Sequence, residues 1–185
     1  MNNSELYYKK KILNLGSGIE KISNSVNLDI NEEVGPDILH DLNVFPYPFN
    51  DKEFDEIYLN NILFQLNDFF LVMKEAHRIL KDEGKIFVKC AYFRSSYAYH
   101  YPASINHFTV RTFCFFDPEH LFYKKFKYTQ TKFKVEKISF NNNFNSGLLK
   151  KILILFANKF PEIYENKLSQ ILPLDEISYL LKKIK

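Results

Sequence analysis

The chain reads as an α/β protein: a mostly parallel sheet with an antiparallel C-terminal edge strand and helices on both faces. Three observations predict this. Short apolar runs recur at residues 11–15, 26–29, 37–41, 54–59 and 85–89. Only one strongly helix-periodic segment interrupts them, between the fourth run and the fifth, which makes the connections crossovers rather than hairpins. The first run stops at Gly16-Ser17-Gly18 and the second at Asp29, as strands do when they deliver a loop and a carboxylate to one end of a sheet.

In order, residues 11–15 form a buried first strand and 26–29 a second. Residues 37–41 form a third, ending like the second in an acid, Asp41. Residues 45–49, Phe-Pro-Tyr-Pro-Phe, must be extended, because each proline fixes its own φ and biases its predecessor away from helix. Residues 54–59 are the fourth strand. Asn67 or Asp68 then caps a helix whose Phe69, Val72, Met73, Ala76, Ile79 and Leu80 make one apolar stripe. Lys81-Asp-Glu-Gly84 ends it with a basic residue, a turn and a C-terminal glycine. Residues 85–89 are the fifth strand.

Downstream, 91–123 has no sustained period and is dense in Tyr, Phe and His, the composition of a variable substrate-side segment. Residues 133–140 alternate as an edge-type strand, and 141–147 form a loop. A helical insertion over 146–173 follows: 148–160 are helical up to Pro161, with a second helix over 162–171. Residues 177–184 make the last, antiparallel strand. The whole of 1–185 is one domain, with residues 1–10 as an N-terminal extension.

Gly16-x-Gly18 followed by Asp29 is a nucleoside-binding layout, a backbone loop from one strand and a ribose acceptor from the next. A dinucleotide site needs a third glycine opening a full helix for the pyrophosphate, and an acid about 20 residues further on. Here Lys21 stands at the third position, and residues 19–25 leave barely two helical turns. S-adenosylmethionine has no phosphate to hold, so the short loop suits it better.

Composition narrows the function classes. The chain is 46% hydrophobic and 25% charged, a soluble globular mixture. A net charge of +3 with lysines scattered along the edges is too mild for nucleic acid, so no nucleic-acid partner is expected. Cys90 and Cys114 form no C-x-x-C pair, and with the histidines they fit no zinc spacing, so no metal site is expected. Two unpaired cysteines and an opening Met-Asn-Asn-Ser-Glu, which lacks the parts of a signal peptide, point to the cytoplasm. The longest apolar run, residues 152–157, is too short to span a bilayer. With its lysines, the 148–157 stretch allows at most a weak peripheral membrane contact; its first expectation is a helix covering the sheet.

With these pieces in order, the chain resembles class I S-adenosylmethionine-dependent methyltransferases, specifically the methyltransferase-type-11-like group. The resemblance rests on Leu13-Asn-Leu-Gly-Ser-Gly18, Val26-Asn-Leu-Asp29, His40-Asp-Leu-Asn43, Tyr47-Pro-Phe49, Phe54-Asp-Glu-Ile57 and His77-Arg-Ile-Leu-Lys-Asp-Glu-Gly-Lys-Ile-Phe87. It implies a Rossmann-like fold, S-adenosylmethionine as cofactor, and methyl transfer to a small-molecule or glycan-type acceptor. It also implies site roles. Gly16, Ser17 and Gly18 pass close to the methionyl part and ribose, with Ser17 offering N–H donors. Asp29, with Ile30 after it, accepts the ribose hydroxyls, Asp41 the adenine amine, the Leu42 N–H donates to the ring, and Asn60 sits near the methionyl group.

Two departures stand out. Where the group commonly has His-Val-Leu-Glu-His, this chain has Asn61-Ile-Leu-Phe64-Gln65, and Tyr101-Pro-Ala-Ser104 replaces Asp-Pro-x-His. They keep open an alternative, a non-catalytic S-adenosylmethionine-binding or scaffold protein. If a base is needed for the acceptor, His107 is the candidate, with Tyr97, His100 and Tyr101 as substrate-facing residues.

Overall fold

The computed structural model describes residues 10–141 and 147–185. Seven strands form one sheet: β1 (Ile12–Leu15), β2 (Ser25–Asp29), β3 (Ile38–Leu39), β4 (Phe54–Asn60), β5 (Leu80–Ala91), β6 (Phe133–Asn141) and β7 (Glu176–Lys183). Their order is β3-β2-β1-β4-β5-β7-β6. The pairs β1–β2, β1–β4, β2–β3 and β4–β5 are parallel, while β7 is antiparallel to both of its neighbours. The chain winds one way from β1 and the other way from β4, so the crevice at their C-terminal ends is where such a sheet takes a ligand.

The four described helices are α1 (Phe69–Ile79), α2 (Leu121–Phe126), α3 (Leu148–Lys159) and α4 (Pro161–Ile163), the last running on into a π turn at Tyr164–Leu168. Asp68 caps α1 by accepting the Leu71 N–H at 2.9 Å. The buried stripe of Val72, Met73, Ala76 and Ile79 lies over the sheet face that carries Leu13, Leu15, Ile57, Leu59, Ile86, Val88 and Leu181, all essentially sealed from solvent.

The other face differs from expectation. Alternation sends Tyr58, Phe87 and Leu180 to it, and all three stay half-exposed among ion pairs such as Lys85–Glu136 and Lys182–Glu83. Tyr58 and Phe87 stack on each other, with ring centroids 4.7 Å apart. Helices on both faces were expected; among the described residues no helix seals this one. The connections at 16–24 and 30–37 are too short to hold a crossover helix and contribute only turns and one 3-10 turn, Glu32–Val34.

Four other expectations are corrected. The C-terminal strand is antiparallel, but it lies between β5 and β6, and β6 takes the outer edge. Asn158 of α3 covers that edge by accepting the Phe140 N–H and donating to the Phe140 carbonyl. The end of α1 is made differently from the Gly84 reading. The helix stops at Ile79, Leu80 already pairs with Phe54, and Glu83 takes the left-handed φ of 64°. Gly84 is there for space, since a Cβ would lie 2.7 Å from Leu80 Cγ. Residues 45–49 are bends around a cis Phe45–Pro46 peptide rather than a straight extended run, and the helix of 162–171 shrinks to α4 and its π turn. Of the 141–147 loop, residues 142–146 lie outside the described residues.

Lys183 joins the two ends of the core. Its buried Nζ donates to the His77 and Leu80 carbonyls at 2.7 and 2.6 Å, satisfying the C-terminus of α1 from β7. Burial lowers its pKa. Lys183→Ala is expected to cost about 3 kcal/mol, because charge-assisted bonds are lost and buried carbonyls are left without donors. A denaturant midpoint that falls at unchanged slope checks it.

Candidate active site

The Gly loop is built as one unit with the end of β2. Gly16 (φ 67°) and Gly18 (φ 50°) supply the left-handed turns a side chain would resist. The Gly16 and Ser17 N–H groups both donate to the Leu28 carbonyl, at 2.9 and 3.0 Å. The Gly18 N–H donates to Asp29 Oδ2 at 2.7 Å, and Asp29 Oδ1 accepts the Asn31 N–H at 3.0 Å. Asp29 is therefore fixed in place, with further lone pairs on each oxygen. Beneath the loop, Asn14 Nδ2 donates to Asn27 Oδ1 and to the Glu20 carbonyl. Asn14 Oδ1 and Ser17 Oγ are buried there without a hydrogen-bond partner.

Asp41 is fixed from one side. Its Oδ1 accepts the Asn43 N–H at 2.8 Å and the Asn43 amide at 3.2 Å, and Leu42 is held by Tyr47 Oη, which donates to the Leu42 carbonyl. Together Gly16, Asp29, Ile30, Asp41, Leu42 and Ile62 line a cavity of about 290 Å³. The cofactor-side expectation is thus largely brought together at one place. Ser17 and Gly18 stand behind the wall, and their N–H groups serve the loop itself, which corrects the expectation that Ser17 offers free donors. Asn60 closes β4 opposite Lys89 and lines neither this cavity nor the next.

A second cavity of about 220 Å³ adjoins the first. It is lined by Asn61, Phe64, Tyr97, His100, Tyr101 and Glu176, among others. The wall between the two is shared: Asn61 and Ser104 face one side, and the adjacent Ile62 and Ala103 face the other. Asn61 turns the chain there with a left-handed φ of 50°, and its N–H donates to the Lys89 carbonyl. Asn106 pins the 101–106 segment over this turn, with its amide donating to the Leu63 and Leu66 carbonyls at 3.0 and 2.8 Å.

Tyr97, His100 and Tyr101 share this cavity, and His107 lies outside it. It packs against Tyr99 and lines a separate shallow depression with Phe69 and Phe70, because the bridge between Phe108 and Tyr92 fixes the chain there.

Sequence reasoning missed Glu176. Its one signal was an acid just ahead of the expected last strand, 177–184. Register with Ala91 places it at the C-terminal end of β5, beside the crevice. It is almost wholly buried, and that burial raises its pKa; the Lys89 ammonium, 3.7 Å away, pulls the other way, while Asp175 and Glu20 push it further up.

The methyltransferase-domain family model matches residues 16–88, the stretch holding the loop, Asp29, Asp41 and the 61–66 turn. Residues 16–88 are thus similar to a methyltransferase domain. The chain shares its fold with an S-adenosylmethionine-dependent methyltransferase of Archaeoglobus fulgidus (TM-score 0.58, 18% identity, 95% of this chain and 87% of that one). It also shares it with one of Mesorhizobium loti (TM-score 0.57, 14% identity, 94% and 91%). The [4+2]-cyclase SpnF has the fold too (TM-score 0.55, 12% identity, 94% and 74%). At such identities the likeness is one of architecture. No curated protein sequence matches the chain.

S-adenosylmethionine is the cofactor that the matched domain implies, and the cavity of Asp29 and Asp41 has polar groups suited to its nucleoside end. Asp29 keeps acceptor capacity that would suit a ribose diol, Asp41 Oδ2 makes no hydrogen bond among the described residues, and the neighbouring Leu42 N–H would be the donor for a ring nitrogen. A side chain at Gly16 does not fit: its Cβ would lie 2.4 Å from Ile62 Cγ1.

Proposed function

We propose that this protein transfers the methyl group of S-adenosylmethionine to a small-molecule acceptor, or to the terminal unit of a glycan, held in the cavity of Glu176. What carries the reading is the pair of adjoining cavities, one with Asp29 and Asp41 and one with a single buried carboxylate, separated by residues 61–62 and 103–104. The cofactor supplies a methyl already activated on a sulfonium.

The chain's own task is first to orient. Phe64, Tyr97 and Tyr101 enclose the acceptor, and holding two reactants in line can contribute about 7–11 kcal/mol at its limit. Its second task arises when the acceptor atom carries a proton. Glu176 accepts that proton as the acceptor's bond to the methyl carbon forms, and returns it to solvent afterwards. His100, in the same cavity, is the alternative proton acceptor. The lost acid of the Asn61–Gln65 region is thereby matched by one arriving from β7.

Calorimetry with S-adenosylmethionine and S-adenosylhomocysteine tests this. Binding at micromolar concentration is expected; no heat from either at about 1 mM would sink the proposal. The rival, a non-catalytic binding or scaffold protein, draws on the replaced residues Asn61, Phe64 and Gln65, and SpnF illustrates that the fold also carries other chemistry. It predicts cofactor binding with no methyl transfer to any amine, hydroxyl or thiol in an acceptor panel.

A further inference from the structure

Helix α3 is apolar on two opposite sides, whereas covering one sheet edge needs only one. Its inner side is Leu153, Ile154 and Ala157, packed on the body of the protein, with Asn158 bound to the β6 backbone. On the opposite side Leu148, Ile152 and Leu155 recur at helical spacing and are 74%, 54% and 71% exposed, with Leu149 at 84%. Phe160, Ile163, Ile171 and Leu172 are exposed just beyond it. Single exposed leucines are ordinary; a run concentrated in one short segment marks an interaction surface.

The charge on α3 says what kind. It holds Lys150, Lys151 and Lys159 and no acidic residue. Lys151 borders the outward stripe and Lys159 continues it one turn beyond Leu155, at the end of the helix, where their stems can lie along an apolar layer while the ammonium groups stay at its polar boundary. A second copy of this face is a poor occupant, since a two-fold pairing would set these lysines against one another. Among the described residues no helix is long and apolar enough to cross a membrane, so the contact lies in the interfacial plane.

We propose that the outward face of α3 docks the protein on an anionic lipid surface, with Leu148, Ile152 and Leu155 entering the headgroup–acyl boundary and Lys151 and Lys159 meeting the lipid charges. This does not depend on the methyl-transfer reading, because α3 lines neither cavity.

Co-sedimentation of the full chain with phosphatidylglycerol-containing vesicles, against pure phosphatidylcholine vesicles, tests it. Binding to the anionic vesicles only is expected, weakening as salt is raised. The triple variant Leu148→Ser/Ile152→Ser/Leu155→Ser alters only exposed side chains; it should keep its circular dichroism and its S-adenosylhomocysteine affinity and lose about tenfold or more in partitioning. Lys151→Gln/Lys159→Gln should remove the preference for anionic lipid. Failure of the parent chain to sediment with anionic vesicles would overturn the proposal, as would undiminished binding by the triple variant. A parent that is dimeric by analytical ultracentrifugation, with a monomeric triple variant and no vesicle binding by either, would overturn it in favour of self-association.

Discussion

Asp29→Ala is expected to weaken binding of S-adenosylmethionine and S-adenosylhomocysteine by about 100-fold or more. Two charge-assisted bonds to ribose hydroxyls would be lost, worth together roughly 3 kcal/mol. The same carboxylate also holds the Gly18 and Asn31 N–H groups, so the loop loses its tie as the ligand loses its acceptor. Asp29→Asn separates the two effects. The amide keeps an acceptor oxygen but not the charge, and it should cost about tenfold. Calorimetric titration of both variants, with circular dichroism to show that each is folded, checks the order parent, Asn, Ala. Equal affinity for parent and Ala variant would remove Asp29 from the site.

Glu176→Gln is expected to lower kcat/KM by about 100-fold to 10,000-fold for a protonated acceptor, the range of a lost general base, with cofactor affinity unchanged. The pH profile carries a second signature. Burial holds the Glu176 carboxyl above its ordinary value, and a base must be ionised to act, so activity should fall as pH drops through that raised pKa. The Gln variant should lack this acidic limb.

Stability should move differently. In the window between the ordinary and the raised pKa the folded protein holds a proton that the unfolded chain has released, so this group costs stability as pH rises through that window. At neutral pH the Gln variant should therefore unfold no earlier than the parent. An inactive variant that is also markedly destabilised would point to a structural role for the Lys89–Glu176 pair instead.

The residues expected on the cofactor side could be grouped from the sequence because they are local. Gly16 and Gly18 follow β1 and Asp29 ends β2, two consecutive strands that pair in parallel across a short connection. Asp41 and Leu42 follow after the next short strand by the same logic. The acceptor half was only partly legible. Tyr97, His100 and Tyr101 could be assigned to a variable segment, but which side chains of that segment turn inward depends on contacts with distant residues, such as the pinning of 101–106 by Asn106 to the carbonyls of residues 63 and 66. His107, equally plausible by composition, falls outside the cavity for the same reason.

The helical cover was misjudged in a related way. Strand order implied helices on both faces, whereas connection length at 16–24 and 30–37 leaves one face half-open.

The sequence by itself determined the strands, the α1 stripe, the Gly loop and the two carboxylates Asp29 and Asp41 at strand ends, because period, glycine and terminal acid act over a few neighbouring residues. Only the tertiary structure decided that β7 inserts between β5 and β6. That insertion brings Glu176 beside Lys89 and Asn61, and buries a carboxylate at the wall of the second cavity. Pairing between residues so far apart in the chain is set by the closing of the whole core, which no local pattern records.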